Sequence, residues 1–118
     1  MSGIIANKYG NIYIDKEVIA KIASQVSTEC YGIVGFSYKS KVDGLVELLK
    51  KENMSNGVKV EIEEDNVSIE LFVIIQYGTK ISVVADNIID RVKYTVEKMT
   101  SLKVRKIDIN VQGVRVNK

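Results

Sequence analysis

The chain has 118 residues, 46% of them apolar and 27% charged, and its 17 basic and 15 acidic side chains leave a net charge of +2. That length and balance give one self-sufficient core, exclude a disordered chain, and name no polyanionic partner by charge alone. There is no histidine, which excludes nucleophiles activated by an imidazole, and the single cysteine, Cys30, forms no intrachain disulfide and fits the cytoplasm.

The amino-terminal stretch has no basic segment leading into an apolar one, so it does not read as a secretory signal; residues 1–9 read as a flexible end. Ile12 and Ile14 alternate with Asn11 and Tyr13, the period of a half-buried strand that stops at Asp15. Asp15 is placed to cap a helix, with a carboxylate that accepts from the unpaired amides of the first turn. Behind it Ile19, Ile22, Ala23, Val26 and Cys30 recur at spacings of three and four, predicting a helix over residues 16–30 with Lys16, Lys21, Gln25 and Glu29 in water. Gly32 fits a left-handed stop after that helix, and a short strand is expected over 33–38.

A second helical pattern over 40–52 places Val42, Leu45, Val46 and Leu49 on one face and is interrupted by Gly44. This stripe is a candidate partner surface, because a short amphipathic helix can pack on another protein; packing into the chain's own core is the equal alternative. Val58, Val60 and Ile62, then Val67, Ile69, Leu71, Val73 and Ile75, alternate with polar residues on either side of Glu64 and Asp65, predicting an antiparallel hairpin. Phe72 and Ile74 make the second strand apolar on both faces, so it reads as central. Ile81, Ala85, Ile88, Val92, Val96 and Met99 hold a helical period with Asp86, Asp90, Arg91, Lys93, Glu97 and Lys98 outward. Ile107, Ile109 and Val111 give a last strand, Gly113 a bulge or stop, and 115–118 a flexible tail. The apolar run at residues 71–75 is the longest and falls far below the ~20 needed to span a bilayer.

Two strand-helix-strand units are thus visible. The expected architecture is a single α+β domain over 1–118, a two-layer sandwich in which a mixed β-sheet carries two long helices on one face.

Several short motifs, agreeing in order and spacing from residue 10 to 114, resemble the alkaline-shock (Gls-type) envelope stress-response family. They are GNIYID beginning at Gly10, VIAKIA at Val18, YGIVG at Tyr31, the strand ending at Tyr77 and Gly78, EKMTSL at Glu97, and IDINVQGV at Ile107. Two departures are Ser101, where members usually carry glycine, and Ile89, where many carry glutamine. The resemblance implies a non-enzymatic cytoplasmic protein of Gram-positive bacteria in the alkaline or envelope stress response. It further implies self-association, a membrane-anchored partner that holds the protein beneath the membrane, and a fatty-acid-kinase-like neighbour.

No catalytic, cofactor-binding or metal-binding residue is assigned. Cys30, on an apolar stripe, reads as a packed small hydrophobe, with redox or modification chemistry as the alternative. Asp86 and Asp90, one turn apart, read as a solvated helix face, with an acid-base or cation-binding pair as the alternative. Glu61, Glu63, Glu64 and Asp65 lack the glycine and ligand spacing of a calcium loop, so an exposed charged hairpin stands beside weak calcium binding. Gly32 and Gly35 match the spacing of a KH loop but join a helix to a strand through Ile33 and Val34, which argues against clamping nucleic acid. Lys103, Arg105, Lys106 and Arg115 form a candidate basic rim. Convergence of these residues with Lys118, Lys39, Lys41, Lys50 and Lys51 would meet RNA or anionic headgroups, but ordinary solvated positive charges are the favoured reading.

Overall fold

A computed structural model describes residues 2–36 and 57–116. In chain order it comprises β1 (Ser2–Asn7), β2 (Gly10–Asp15), α1 (Lys16–Thr28), β3 (Ile33–Phe36), β4 (Val58–Glu63), β5 (Asn66–Gln76), α2 (Ile81–Thr100) and β6 (Lys103–Arg115). The fold is α+β, as expected.

β5 organises the larger sheet. Its odd-numbered residues, Val67, Ile69, Leu71, Val73 and Ile75, are all 0–1% exposed, and the even-numbered ones between them are half-buried. One edge of β5 pairs in parallel with β6 over its whole length. The other edge is shared by two antiparallel strands in series, β4 opposite residues 66–71 and β3 opposite residues 73–75. Backbone alternation confirms the division: the amides of Phe72 and Gln76 donate to Gly57 and Gly32 on the β4–β3 side. The amide of Tyr77, one residue out of phase, donates to Arg115 on the β6 side.

The parallel pairing of β5 and β6 requires a crossover, and α2 supplies it. It buries Val84, Ile88, Val92 and Val96, a spacing of four that keeps one stripe on the sheet. α1 buries Ile19, Ala20, Ala23, Val26 and Ser27 and packs on β4 and α2, while α2 also packs on β6. Glu29 and Arg91 bridge the two helices at 3.4 Å. Both helices thus lie on the face carrying the odd residues of β5, with Ile107, Ile109 and Val111 of β6 packed against the same core.

The structure differs from the sequence reading at three places. The segment expected to be a flexible end forms β1, which pairs antiparallel with β2 from Ser2↔Asp15 to Asn7↔Gly10, so the first strand lies in a separate two-stranded sheet. Ile5 and Ile14 anchor this hairpin to the core, which is why it is ordered as a strand pair rather than loose. Asp15 occupies the residue before α1 with extended backbone, but its carboxylate makes no capping hydrogen bond. Lastly, β6 starts at Lys103 rather than near Ile107, because Val104 is buried and holds Lys103, Arg105 and Lys106 in the strand around it.

Two backbone features shape the ends of elements. Gly32 has φ +96°, and a Cβ there would stand 2.7 Å from Val84 Cγ2, so glycine is required both for conformation and for approach to α2. Ser101 closes α2 in the left-handed conformation, φ 63° and ψ 6°, with its amide donating to the Glu97 carbonyl at 2.9 Å.

Candidate functional site

No described element covers the face of the larger sheet opposite the helices. Phe72 and Ile74, on even positions of β5, point to that side and are not among the side chains packed on the core. Ile74 stands between Gly35 of β3 and Gly113 of β6, and an added Cβ at either glycine would meet nothing within 4 Å. With no side chain at either glycine, half-buried Ile74 forms with Phe72 an apolar strip that no described element covers.

Towards the hairpin turn the same face is charged. Register places Lys59, Glu70 and Asp108 in one row across β4, β5 and β6, and Glu61, Ser68 and Lys106 in the next. These side chains line one shallow depression, which fixes them on a common side of the sheet. Within strands, Lys59 pairs with Glu61 at 3.9 Å and Lys106 with Asp108 at 3.4 Å. Beyond them Arg105, at a β-bulge, reaches Glu63 at 3.8 Å. All are surface pairs, each worth about 0–1 kcal/mol, so they constrain the pattern of charge more than the stability.

A second apolar surface, more exposed, is the β1–β2 hairpin. Ile4 and Tyr13 are cross-strand partners on one face and both are at least half exposed, as is Ile12 on the other. Tyr9, at the turn, is 89% exposed, with Lys8 Nζ 5.3 Å from its ring centroid.

The residues singled out from sequence fall as follows. Val42, Leu45, Val46 and Leu49, and the lysines at 39, 41, 50 and 51, lie outside the described residues. Of the basic rim, Lys103, Arg105 and Lys106 sit together at the start of β6, but Arg115 ends the same strand, roughly 40 Å away at the rise of an extended chain. Arg105 and Lys106 each have a carboxylate partner, so this end of the sheet carries both signs of charge. Asp86 and Asp90 are exposed on α2. Cys30 is 4% exposed with its thiol directed at the Val26 carbonyl, 3.5 Å away, and burial pushes its pKa up despite Arg91 nearby. Glu97, read as an outward helix residue, has a structural task. Its carboxylate accepts from the Val104 amide at 2.9 Å and from Lys93 Nζ at 3.0 Å, tying α2 to the start of β6. The Val104 hydrogen bond first, and Lys93 second, hold its pKa below the usual carboxylate range.

The charged rows were not found by sequence reasoning. The alternation of Lys59, Glu61 and Glu63, and of Lys106 and Asp108, was the available signal, but only the strand register shows which charges stand beside one another.

Residues 4–116 match the alkaline shock protein 23 family, described as having a cell envelope-related function. Bacillus subtilis YloU is 49% identical over 117 residues, covering 98% of both chains. Streptococcus pyogenes Spy1614 is 35% identical over 113 residues, 95% of this chain and 93% of that one. A stress response regulator gls24 homolog of Streptococcus pyogenes is 24% identical over 106 residues, which span 90% of this chain and 59% of the relative. No solved structure matches.

Proposed function

Because the chain belongs to the alkaline shock protein 23 family, whose function is cell envelope-related, we propose that it is a non-catalytic protein of the envelope and alkaline stress response that works by binding other proteins. Its partners include further copies of itself and a membrane-anchored protein that holds it at the cytoplasmic side of the membrane. The link to stress is supported by the relative named as a stress response regulator. No helix among the described residues is long and apolar enough to cross a bilayer.

The observation that carries the reading is the sheet face that no described element covers. An apolar strip of Phe72 and Ile74, flanked by glycines at Ile74 and continued by rows of mixed charge, has the composition of an interface, with an apolar centre and a polar surround. Light scattering on the purified protein, with a pull-down from a membrane fraction, tests it. A mass above that of the monomer and a retained membrane protein, both lost in Phe72→Asp, are expected. A strict monomer that retains nothing refutes it.

A further inference from the structure

The charge pattern of the uncovered face is antisymmetric about β5. In the row of Glu70, β4 contributes Lys59 and β6 contributes Asp108; in the row of Ser68 the signs reverse, with Glu61 on β4 and Lys106 on β6. In the row of Asn66, Glu63 on β4 is answered by the basic start of β6, where Arg105 bulges out. The geometry points to a second copy of this chain as the occupant of the face, packed on it about a two-fold axis that runs along β5. This rests on the binding reading above and gives it a surface and a symmetry.

A rotation of 180° about such an axis lays the β4 edge of one copy over the β6 edge of the other. Lys59 then faces the second copy's Asp108, and Glu61 its Lys106. Each contact occurs twice by symmetry. Phe72 meets Phe72 and Ile74 meets Ile74 on the axis, and Gly35 lies over Gly113, so the bare borders let the two strips approach. Sheets stack about 10 Å apart, a gap that opposed lysine and carboxylate side chains span. A two-fold across the strands would instead set β4 on β4 and lose the pairing of Glu61 with Lys106. One unfavourable contact remains: Glu70 faces its own copy, relieved by Lys59 in the same row of each chain.

Size sets the strength. Three strands about 4.8 Å apart, over the eleven residues of β5 at about 3.3 Å each, give roughly 500 Å² in plan per copy. That is the low end for a specific interface, so the dimer is weak, reversible and sensitive to salt.

Sedimentation equilibrium over a range of concentrations tests this with charge reversals. Glu61→Lys and Lys106→Glu each set like charges opposite one another and are expected to weaken self-association by about tenfold or more. An equimolar mixture of the two variants restores the affinity, because lysine at 61 of one chain then faces glutamate at 106 of the other, and the reverse. This rescue acts only between chains, so loss of folding in either variant cannot imitate it. Glu70→Gln tightens the dimer, and Phe72→Glu abolishes it with the melting temperature preserved. A mixture no tighter than its components overturns the inference. So does a wild-type dimer unaffected by all four variants, which would leave the binding reading standing with a different surface. A wild-type monomer, whether or not Phe72→Glu destabilises it, likewise overturns it.

Discussion

Replacing Ser101 by glycine should make this protein more stable. Ser101 holds φ 63° and ψ 6° where α2 ends, and in that region the Cβ of an L-residue approaches the following carbonyl, at a cost of about 1–2 kcal/mol. Glycine removes the Cβ but widens the unfolded ensemble, which returns about 0.5–1 kcal/mol of the gain. The serine side chain is exposed, and its hydroxyl has no hydrogen bond among the described residues, so nothing else is lost. The net expectation is about 0.5–1 kcal/mol of stabilisation. At about 2.1 cal/mol/K of unfolding entropy per residue, a chain of 118 residues has about 0.25 kcal/mol/K, so the melting temperature rises by about 2–4 °C. Thermal melts and urea titrations followed by circular dichroism measure it, the latter showing a higher midpoint at constant slope. Ser101→Val serves as the opposite control, since a β-branched residue is the poorest fit to positive φ. A glycine variant equal to or less stable than the parent would refute the reasoning and show that the strain at this turn is absent in solution.

Gly32→Ala should cost about 2–4 kcal/mol, combining positive φ with overpacking against Val84 Cγ2, and Val84→Ala in the same chain should recover the overpacking part; urea titration of the four proteins of that cycle checks it. Glu97→Gln should lower stability at neutral pH. The folded-state pKa of Glu97 is depressed, so its contribution is present above the unfolded carboxylate pKa and is lost as pH falls through the lower folded value; the difference between parent and variant should therefore close on acidification. Melts from pH 7 down to pH 3 would show this, and a difference independent of pH would refute it. Cys30, buried and with a raised pKa, should react with a thiol reagent slowly in the native protein and fast in urea; rapid native labelling would revive a redox role.

The elements whose burial follows one period were legible from the residues. β5 and α2 each have a stripe set by geometry, and residues 67–75 and 84–96 show it without interruption. What periodicity cannot give is the partner of a strand. Ile12 and Ile14 announced β2 but not that its neighbour would be β1 in a sheet apart, because alternation reports which face is buried and says nothing about which edge is paired. The charges of Lys103, Arg105 and Lys106 disguised the first third of β6 as a connector, although Val104 among them is buried in the core. The same limit hid the charged rows of the sheet face. Lys59, Asp108, Glu61 and Lys106 read as ordinary solvated positions until register put them in adjacent rows.

The uncovered face is also where this fold departs from what its own topology leads one to expect. Parallel strand pairs are usually covered on both sides, because the crossovers that join them put helices there. Here the single β5–α2–β6 crossover and α1 both lie on the side of the odd residues of β5, so the parallel pair has its other side free of any described element. An antiparallel sheet tolerates such exposure by carrying polar residues outward, and β4 does so with Lys59, Glu61 and Glu63. β5 does so only in part: Ser68 and Glu70 are polar, but Phe72 and Ile74 follow on the same face. On a face that no described element covers, polar residues would serve solubility and cost the core nothing, yet Ile74 stands between two glycines with Phe72 beside it. An apolar centre with charge in a set order around it is the composition that the proposed pairing of two copies through this face requires.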